Sequence, residues 1–427
     1  MVPVAPTPRE LVARTFKAEG PRIRAALIRA TGDFELAEDA LSAAVEKALQ
    51  VWPQGGTPQR PGAWLMEVAR NHALDVVRRA QRFRDREQAV AHLETLSRTT
   101  ESPDVTTART GLERGIHAVD DRLRLVFTAC HPALAEEAQV ALTLQVVAGL
   151  TAEEIARAFL TPAATMEKRL TRAKQKIRDA RIPFDVPSPE DLPERLHTVL
   201  HVIYLVFNEG YVASRGENLL RQGLCDDAIR VAELLHALLP GEPEVAGLLA
   251  LLLLTQSRAR ARVDETGDLV LLEAQDRTRW DAALVARGVA LVEEALQQRR
   301  AGPYQVQAAI AALHAQAPTA AETDWPQIAA LYAALVGMSP TPVVRLNHAV
   351  AVALAHDVDA GLSLVEALAR EGDLEGYHLL HATRADLYRR KGDLQRAQRA
   401  YKKALTLARN SAERRFLERR LAQLATR

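Results

Sequence analysis

The chain has 427 residues, 48% of them apolar and only 4% aromatic, with 55 Lys and Arg against 54 Asp and Glu for a formal charge of +1. At about 150 residues per domain this length suggests roughly three domains, and the even charge ledger means that any surface for nucleic acid must be local. Dominance of Ala and Leu excludes a disordered chain, disfavours an all-β protein and predicts an all-α fold. Two cysteines, Cys130 and Cys225, exclude a disulfide framework and a cysteine-rich zinc module and fit a reducing cytoplasm. The opening MVPVAPTPRE lacks the basic and apolar segments of a secretory signal. The longest apolar run, 245–254, is too short to cross about 30 Å of hydrocarbon and predicts a buried helix, so no membrane partner is expected.

Residues 9–90 read as helices with a break at Trp52-Pro53-Gln54-Gly55-Gly56-Thr57-Pro58. Asp33, Glu35, Glu38 and Asp39 put four acids within seven positions at the start of a helix over 36–50. A helix over 63–84 has the apolar face Trp64, Leu65, Val68, Ala69, Leu74 and Val77. Its polar face is Arg70, Asn71, Asp75, Arg78, Arg79, Arg82 and Arg84. Trp64 fits either a core position or a wedge against DNA. Residues 91–112 form a polar, flexible linker, and 113–182 are helical again.

Within that block, Thr151 is a good N-cap, Glu153 and Glu154 suit the positive end of a helix, and Ile155, Ala156 and Phe159 give a short apolar face. A turn at Leu160-Thr161-Pro162 leads into a second helix from Ala163, with apolar Met166, Leu170, Ala173 and Ile177. Residues 161–181 carry seven basic side chains against two acidic ones. A short helix, a tight turn and a basic helix make a DNA-reading helix-turn-helix, whose later Lys and Arg would face phosphates. Thr165, Lys168, Arg169, Arg172, Lys174 and Lys176 are its candidate DNA contacts, with Arg178 a further basic residue of that face.

Pro183, Pro187, Pro189 and Pro193 mark a second, semi-rigid boundary. From 194 to 427 the chain is amphipathic and helical, with small residues twelve apart at Ala349/Gly361 and Ala385/Ala397, two pairs offset by 36 residues. That offset is close to the 34 of a tetratricopeptide (TPR) array, in which helix pairs stack to bury faces that none can bury alone. The polar residues Asn208, Glu209, Tyr211, Gln275, Asp276, Arg277, Trp280, Asp324, Trp325 and Asn347 either line a pocket for a ligand or peptide or cap and cross-link helices. Cys130-His131 with His117, and His197 with His201, match no metal motif; no phosphate loop or nucleophile elbow is present. Catalytic residues, metal and cofactor are therefore all expected to be absent.

The strings DFELAEDAL, VWPQGG and PGAWLMEVARNHALDVVRR resemble region 2 of sigma-70-type factors of the extracytoplasmic-function (ECF) subfamily, and LTAEEIARAFLTPAATMEKRLTRAKQKIR resembles their region 4. YLVFNEGYVAS, LLEAQDRTRWD, GPYQVQAAIAALHA, DWPQIAALY and RLNHAVAVA look like the TPR-like C-terminal extension of one ECF group. The resemblance implies an RNA polymerase sigma factor, not an enzyme, with region 2 over 9–90, region 4 over 113–182 and a regulatory array over 194–427. It implies that the acidic segment docks on core RNA polymerase. Trp64, Arg70, Asn71, Asp75, Arg78 and Arg79 would then read the minus-ten element of promoter DNA, and the second helix of the helix-turn-helix the minus-thirty-five element. The C-terminal array would answer to a regulatory protein or ligand. Ser42-Ala43-Ala44-Val45, His72 and Ala274 depart from the usual pattern. The alternative is a stand-alone helix-turn-helix regulator with a ligand-sensing helical domain, which would need no polymerase-docking segment.

Overall fold

The computed structural model describes residues 7–81, 121–159, 161–212, 221–264 and 268–425, and among them it is helical without a strand. The linker over 91–112 and His117 lie outside the described residues. The chain forms two compact units, Met1–Leu205 and Val206–Arg427. The division falls inside a helix, beyond the proline-rich stretch.

The first unit begins with α1 (Pro8–Thr31), α2 (Phe34–Gly55) and α3 (Pro61–Gln81). A capping box starts α1: the Thr7 hydroxyl accepts from the Glu10 amide, and the Glu10 carboxylate accepts from the Thr7 amide at 2.8 Å. Gly32, in the left-handed region at φ +66°, ends it. The three helices pack pairwise around Ile23, Leu27, Ala37, Leu41, Ala44, Ala48, Leu65 and Ala69, all buried. Alanines at these contacts let the backbones approach closely.

The break expected over 52–58 starts late in that stretch. Helix α2 does not break at Trp52 but runs through Pro53 to Gly55. Trp52 is buried, and its ring meets that of Trp64 edge-on at 5.6 Å, anchoring the last turn where proline removes an amide donor. The chain turns instead at Gly56, whose φ is +81°.

Four helices follow: α4 (Asp121–Ala129), α5 (Glu136–Val146), α6 (Ala152–Ala158) and α7 (Ala163–Asp179). Thr151 and Glu154 form a second capping box at the start of α6. Met166, Leu170, Ala173 and Ile177, spaced by four and three residues, bury one stripe of α7. Phe127, Leu125 and Leu142 fill the core beneath it. The residues after α7 stay with this unit: the Thr128 hydroxyl donates to the Pro183 carbonyl at 3.3 Å, and Arg124 pairs with Asp185 at 3.3 Å. Arg195, at the start of α8 (Leu192–Tyr211), donates to the Phe127 carbonyl at 2.7 Å.

The second unit is a run of helices packed in chain order: α9 (Gln222–Leu238), α10 (Pro243–Ser257), α11 (Ala282–Gln297), α12 (Pro303–Gln316), α13 (Trp325–Met338), α14 (Pro342–Ala355), α15 (Val358–Glu371), α16 (His378–Lys391), α17 (Leu394–Leu407) and α18 (Ser411–Ala425). The apolar run 245–254 lies in α10, which is buried on every side because α9, α11 and α12 all pack on it. Helices α14 and α16 start at Pro342 and His378, and α15 and α17 at Val358 and Leu394, a 36-residue offset in both cases, with 14 residues in each helix. The small residues sit where the paired helices meet. A Cβ on Gly361 would lie 2.6 Å from the Ala349 carbonyl oxygen and would also collide with Ala353. Arg415 and Arg419 of α18 both pair with Asp268, and Arg390 of α16 pairs with Glu273 at 2.7 Å. The end of the helix run is thereby tied to the segment that follows α10.

Replacing Gly361 by Leu forces α14 and α15 apart. We expect a loss of about 1–3 kcal/mol from overpacking, read as a lowered denaturant midpoint for the C-terminal unit. Asn347→Ala on the exposed face of α14 should leave that midpoint unchanged.

Candidate functional site

The acidic segment at the start of α2 splits into different environments. Asp33 is the N-cap, accepting from the amides of Glu35 and Leu36 at 2.9 and 3.1 Å, so its carboxylate serves the helix end. Asp39 is exposed. Glu38 is not the open acid that the sequence suggested. It borders the buried stripe Phe34, Ala37 and Leu41. Its carboxylate is clasped by the Arg24 guanidinium of α1 and by the Lys174 ammonium of α7, the latter at 3.2 Å. The Arg24 side chain is only 3% exposed, and its other arm donates to the Val146 carbonyl at the end of α5, at 2.7 Å. Burial pushes the Glu38 carboxyl up, but Arg24 and Lys174 together outweigh it and hold it below its ordinary value of 4.5. Glu35 pairs with Arg178 of α7 at 2.8 Å, in the open.

Helix α7 therefore has three faces. Its buried stripe faces the core of α4, α5 and α6. Thr165, Lys168, Arg169, Arg172 and Lys176 lie along a groove of about 470 Å³ whose other wall includes Leu134, Glu137 and Ala138. Thr165, Lys168, Arg172 and Lys176 are exposed and Arg169 half-buried. Lys174 departs from the expectation that it stands with these residues. It follows Ala173 on the edge of the buried stripe and turns to Glu38, as Arg178 turns to Glu35 one helical turn later.

On α3, Asn71, Asp75, Arg78 and Arg79 are exposed along one side. Arg70 is half-buried and donates to the Asn71 side chain at 3.2 Å. Trp64 is half-buried against Trp52, which fits the core position considered for it.

The polar residues of the C-terminal unit have local partners. Arg277 donates to the carbonyls of His314 and Ala317 at the end of α12 and lies over the Trp280 ring at 4.9 Å, so it caps a helix. Asp276 caps the short turn that contains Arg277, and Asp324 caps α13. Trp325 meets the His314 ring edge-on at 5.2 Å. Burial, with Arg258 and Arg277 close by, pushes His314 down to about 4, so it is neutral near pH 7. Gln275 donates to the Val270 carbonyl at 3.1 Å. Glu209 pairs with Arg221 at 2.6 Å, and Arg262 stacks on Tyr211 at 4.1 Å. Asn208 is half-buried at the end of α8, and Asn347 is exposed on α14.

The thiols are buried. Cys130 lies 3.3 Å from the Thr143 hydroxyl, and burial pushes both Cys130 and Cys225 up to about 12. His131 accepts from the Ala133 amide, and His201 pairs with Glu136 at 3.2 Å.

Residues 15–83, spanning most of α1 to α3, match sigma-70 region 2, and residues 124–177, spanning α4 to α7, match sigma-70 region 4. The chain belongs to the sigma-70 family. These two regions make it an RNA polymerase sigma factor, a transcription initiation factor that binds core RNA polymerase and promoter DNA. Residues 195–296 match a family of unknown function (DUF6596). An uncharacterised protein of Rhizobium meliloti (strain 1021) is 44% identical to the sigma factor over 405 residues, 95% of this chain and 94% of that relative. Among the described residues no helix is long and apolar enough to cross a membrane.

The residue that sequence reasoning missed is Arg24. Its signal was a charge inside the short apolar run IRAALI (23–28), which is otherwise buried. Glu38→Gln should destabilise the first unit by about 3–5 kcal/mol, because it leaves a buried guanidinium without its counter-charge. Since the folded Glu38 is held below 4.5, its contribution is present above that pH and is lost as pH falls through the lowered value. Unfolding followed from about pH 6 to about pH 3 should show a steeper loss for the native protein than for Glu38→Gln. Equal slopes would contradict the clasp.

Proposed function

We propose that this sigma factor is of the ECF type, with promoter choice divided between α3 and α7 and with its C-terminal unit acting as a TPR-like regulatory array. The start of α2, with Asp33, Glu35, Glu38 and Asp39, docks on a basic surface of core polymerase. The face of α3 with Arg70, Asn71, Asp75, Arg78 and Arg79 takes the minus-ten element, with Trp64 supporting that face from the Trp52 side. The groove face of α7 takes the minus-thirty-five element: Arg169 and Arg172 reach base edges, and Lys168 and Lys176 hold phosphates. The chain catalyses no reaction itself and acts in the cytoplasm, where core polymerase works on DNA. The C-terminal unit receives a regulatory protein or ligand.

One observation carries the reading: regions 2 and 4 stand in this order in one chain, and α7 turns its exposed basic residues into an open groove. The repeated helix lengths and the 36-residue offset of α14 to α17 support the array. The sharpest test is transcription by purified core polymerase on a pool of genomic fragments, with the start sites mapped. Initiation at a shared pair of upstream elements supports the proposal; no initiation on any fragment overturns it, as does DNA binding that only represses.

Arg169→Ala or Arg172→Ala should weaken binding of the upstream element by about 1–3 kcal/mol and relax its sequence preference. Lys176→Ala should lower affinity evenly across sequences and reduce the salt slope by about one. Equal, sequence-independent losses at all three positions would argue against base reading.

A further inference from the structure

The two DNA-reading regions of the first unit are held together by the residues that the proposed function needs elsewhere. Glu38 sits between Arg24 and Lys174, and Glu35 is paired with Arg178. Lys174 and Arg178 belong to the recognition helix α7, whereas Glu35 and Glu38 are two of the four acids at the start of α2. Three further contacts join the same bodies. Arg24 donates to the Val146 carbonyl, Arg29 of α1 pairs with Asp121 of α4 at 3.2 Å, and the rings of Phe34 and Phe184 meet edge-on at 6.3 Å.

The consequence is unequal for the two functions of the unit. The groove face of α7 stays open, with Lys168, Arg172 and Lys176 exposed. The acids of α2 are already engaged: Asp33 serves its helix end, Glu35 pairs with Arg178 at the surface, and Glu38 is shared between Arg24 of α1 and Lys174 of α7, leaving Asp39 exposed. An acidic docking surface works by offering uncompensated carboxylates to a basic partner. Here the chain's own recognition helix already supplies one cation to Glu35 and a second one, beside Arg24, to Glu38.

We propose that the first unit is autoinhibited: Lys174 and Arg178 of α7 occupy Glu38 and Glu35, so that core polymerase must displace the recognition helix before α2 can dock. This rests on the reading of α2 as the docking helix. The lock is an exchange of equivalent ion pairs, so it is reversible. Promoter phosphates favour opening by offering Lys174 and Arg178 new partners. Because coupling between ligands is reciprocal, DNA that holds the open form also tightens polymerase binding. The exposed Glu35–Arg178 pair is screened by salt, while the buried Glu38 clasp is screened much less.

The test uses the full-length chain and core polymerase without DNA. In Lys174→Ala/Arg178→Ala, two positive charges are removed from a helix that the docking reading places away from polymerase. If the closed form is about nine-tenths of the population, releasing it tightens core binding about tenfold. Unchanged or weaker binding overturns the proposal. A second measurement is independent of polymerase: spin labels on Glu46→Cys and Thr171→Cys, both exposed positions on α2 and α7, report the distance between the two helices. The native background should give one dominant short distance, Lys174→Glu/Arg178→Glu should shift the population to a longer one, and pairing these with Glu35→Arg/Glu38→Lys should restore the first. Identical distance distributions in the native and charge-reversed proteins overturn the lock. A native protein that binds no core polymerase at all, yet shows the charge-dependent distances, would leave the lock standing and sink the docking reading instead.

Discussion

The half-buried carboxylate of Glu38 is the point on which the first unit turns. It accepts from a guanidinium on α1 and an ammonium on α7, and the guanidinium also holds the last carbonyl of α5. Three stretches of chain far apart in sequence therefore meet at one charge cluster. Removing any member leaves a charge in a place that water reaches poorly, which is far more costly than losing a surface pair. The alanine-lined contacts of α1, α2 and α3 supply the packing; the cluster fixes which face of that packing meets region 4. The same cluster ties structure to the proposed function, because Glu38 belongs to the proposed docking segment and Lys174 to the proposed recognition helix.

The C-terminal unit follows a different logic. Its helices bury their faces against neighbours in chain order, as α10 does between α9, α11 and α12. Three of the polar side chains that look like a binding site in the sequence serve helix or turn ends: Asp276 caps a short turn, Arg277 closes α12 and Asp324 opens α13. Glu244, outside that set, does the same by accepting from the Tyr304 and Gln305 amides at the start of α12. Buried polar groups in a stack of short helices are needed wherever a helix stops inside the stack. The salt bridges from α16 and α18 to Glu273 and Asp268 hold the last helices to the segment after α10, so these helices are not held by apolar contact alone.

Local patterns made much of this legible. The capping residues Thr151 and Glu154, the stripe Met166, Leu170, Ala173 and Ile177, the buried run in α10 and the 36-residue offset all depend on spacings within one or two helices. The open face of α7 was legible for the same reason. The rest depended on contacts over long separations. Nothing near Arg24 points to Glu38, and nothing near Glu38 points to Lys174, 136 residues away. Lys174 read as one more basic residue because sequence spacing places it at the border of two faces, and only the packed partner decides between them. Pro53 read as a break because a proline's missing amide is a local signal, whereas the Trp52–Trp64 contact that sustains the turn is not.

The most direct measurement is a double-mutant cycle on unfolding of the full-length chain at Glu38 and Lys174, using Glu38→Gln, Lys174→Met and the pair. If one cluster joins α1, α2 and α7, the two substitutions should be coupled by about 0.5–3 kcal/mol. Strictly additive losses would show that Glu38 and Lys174 do not share a site in solution, and would contradict the account.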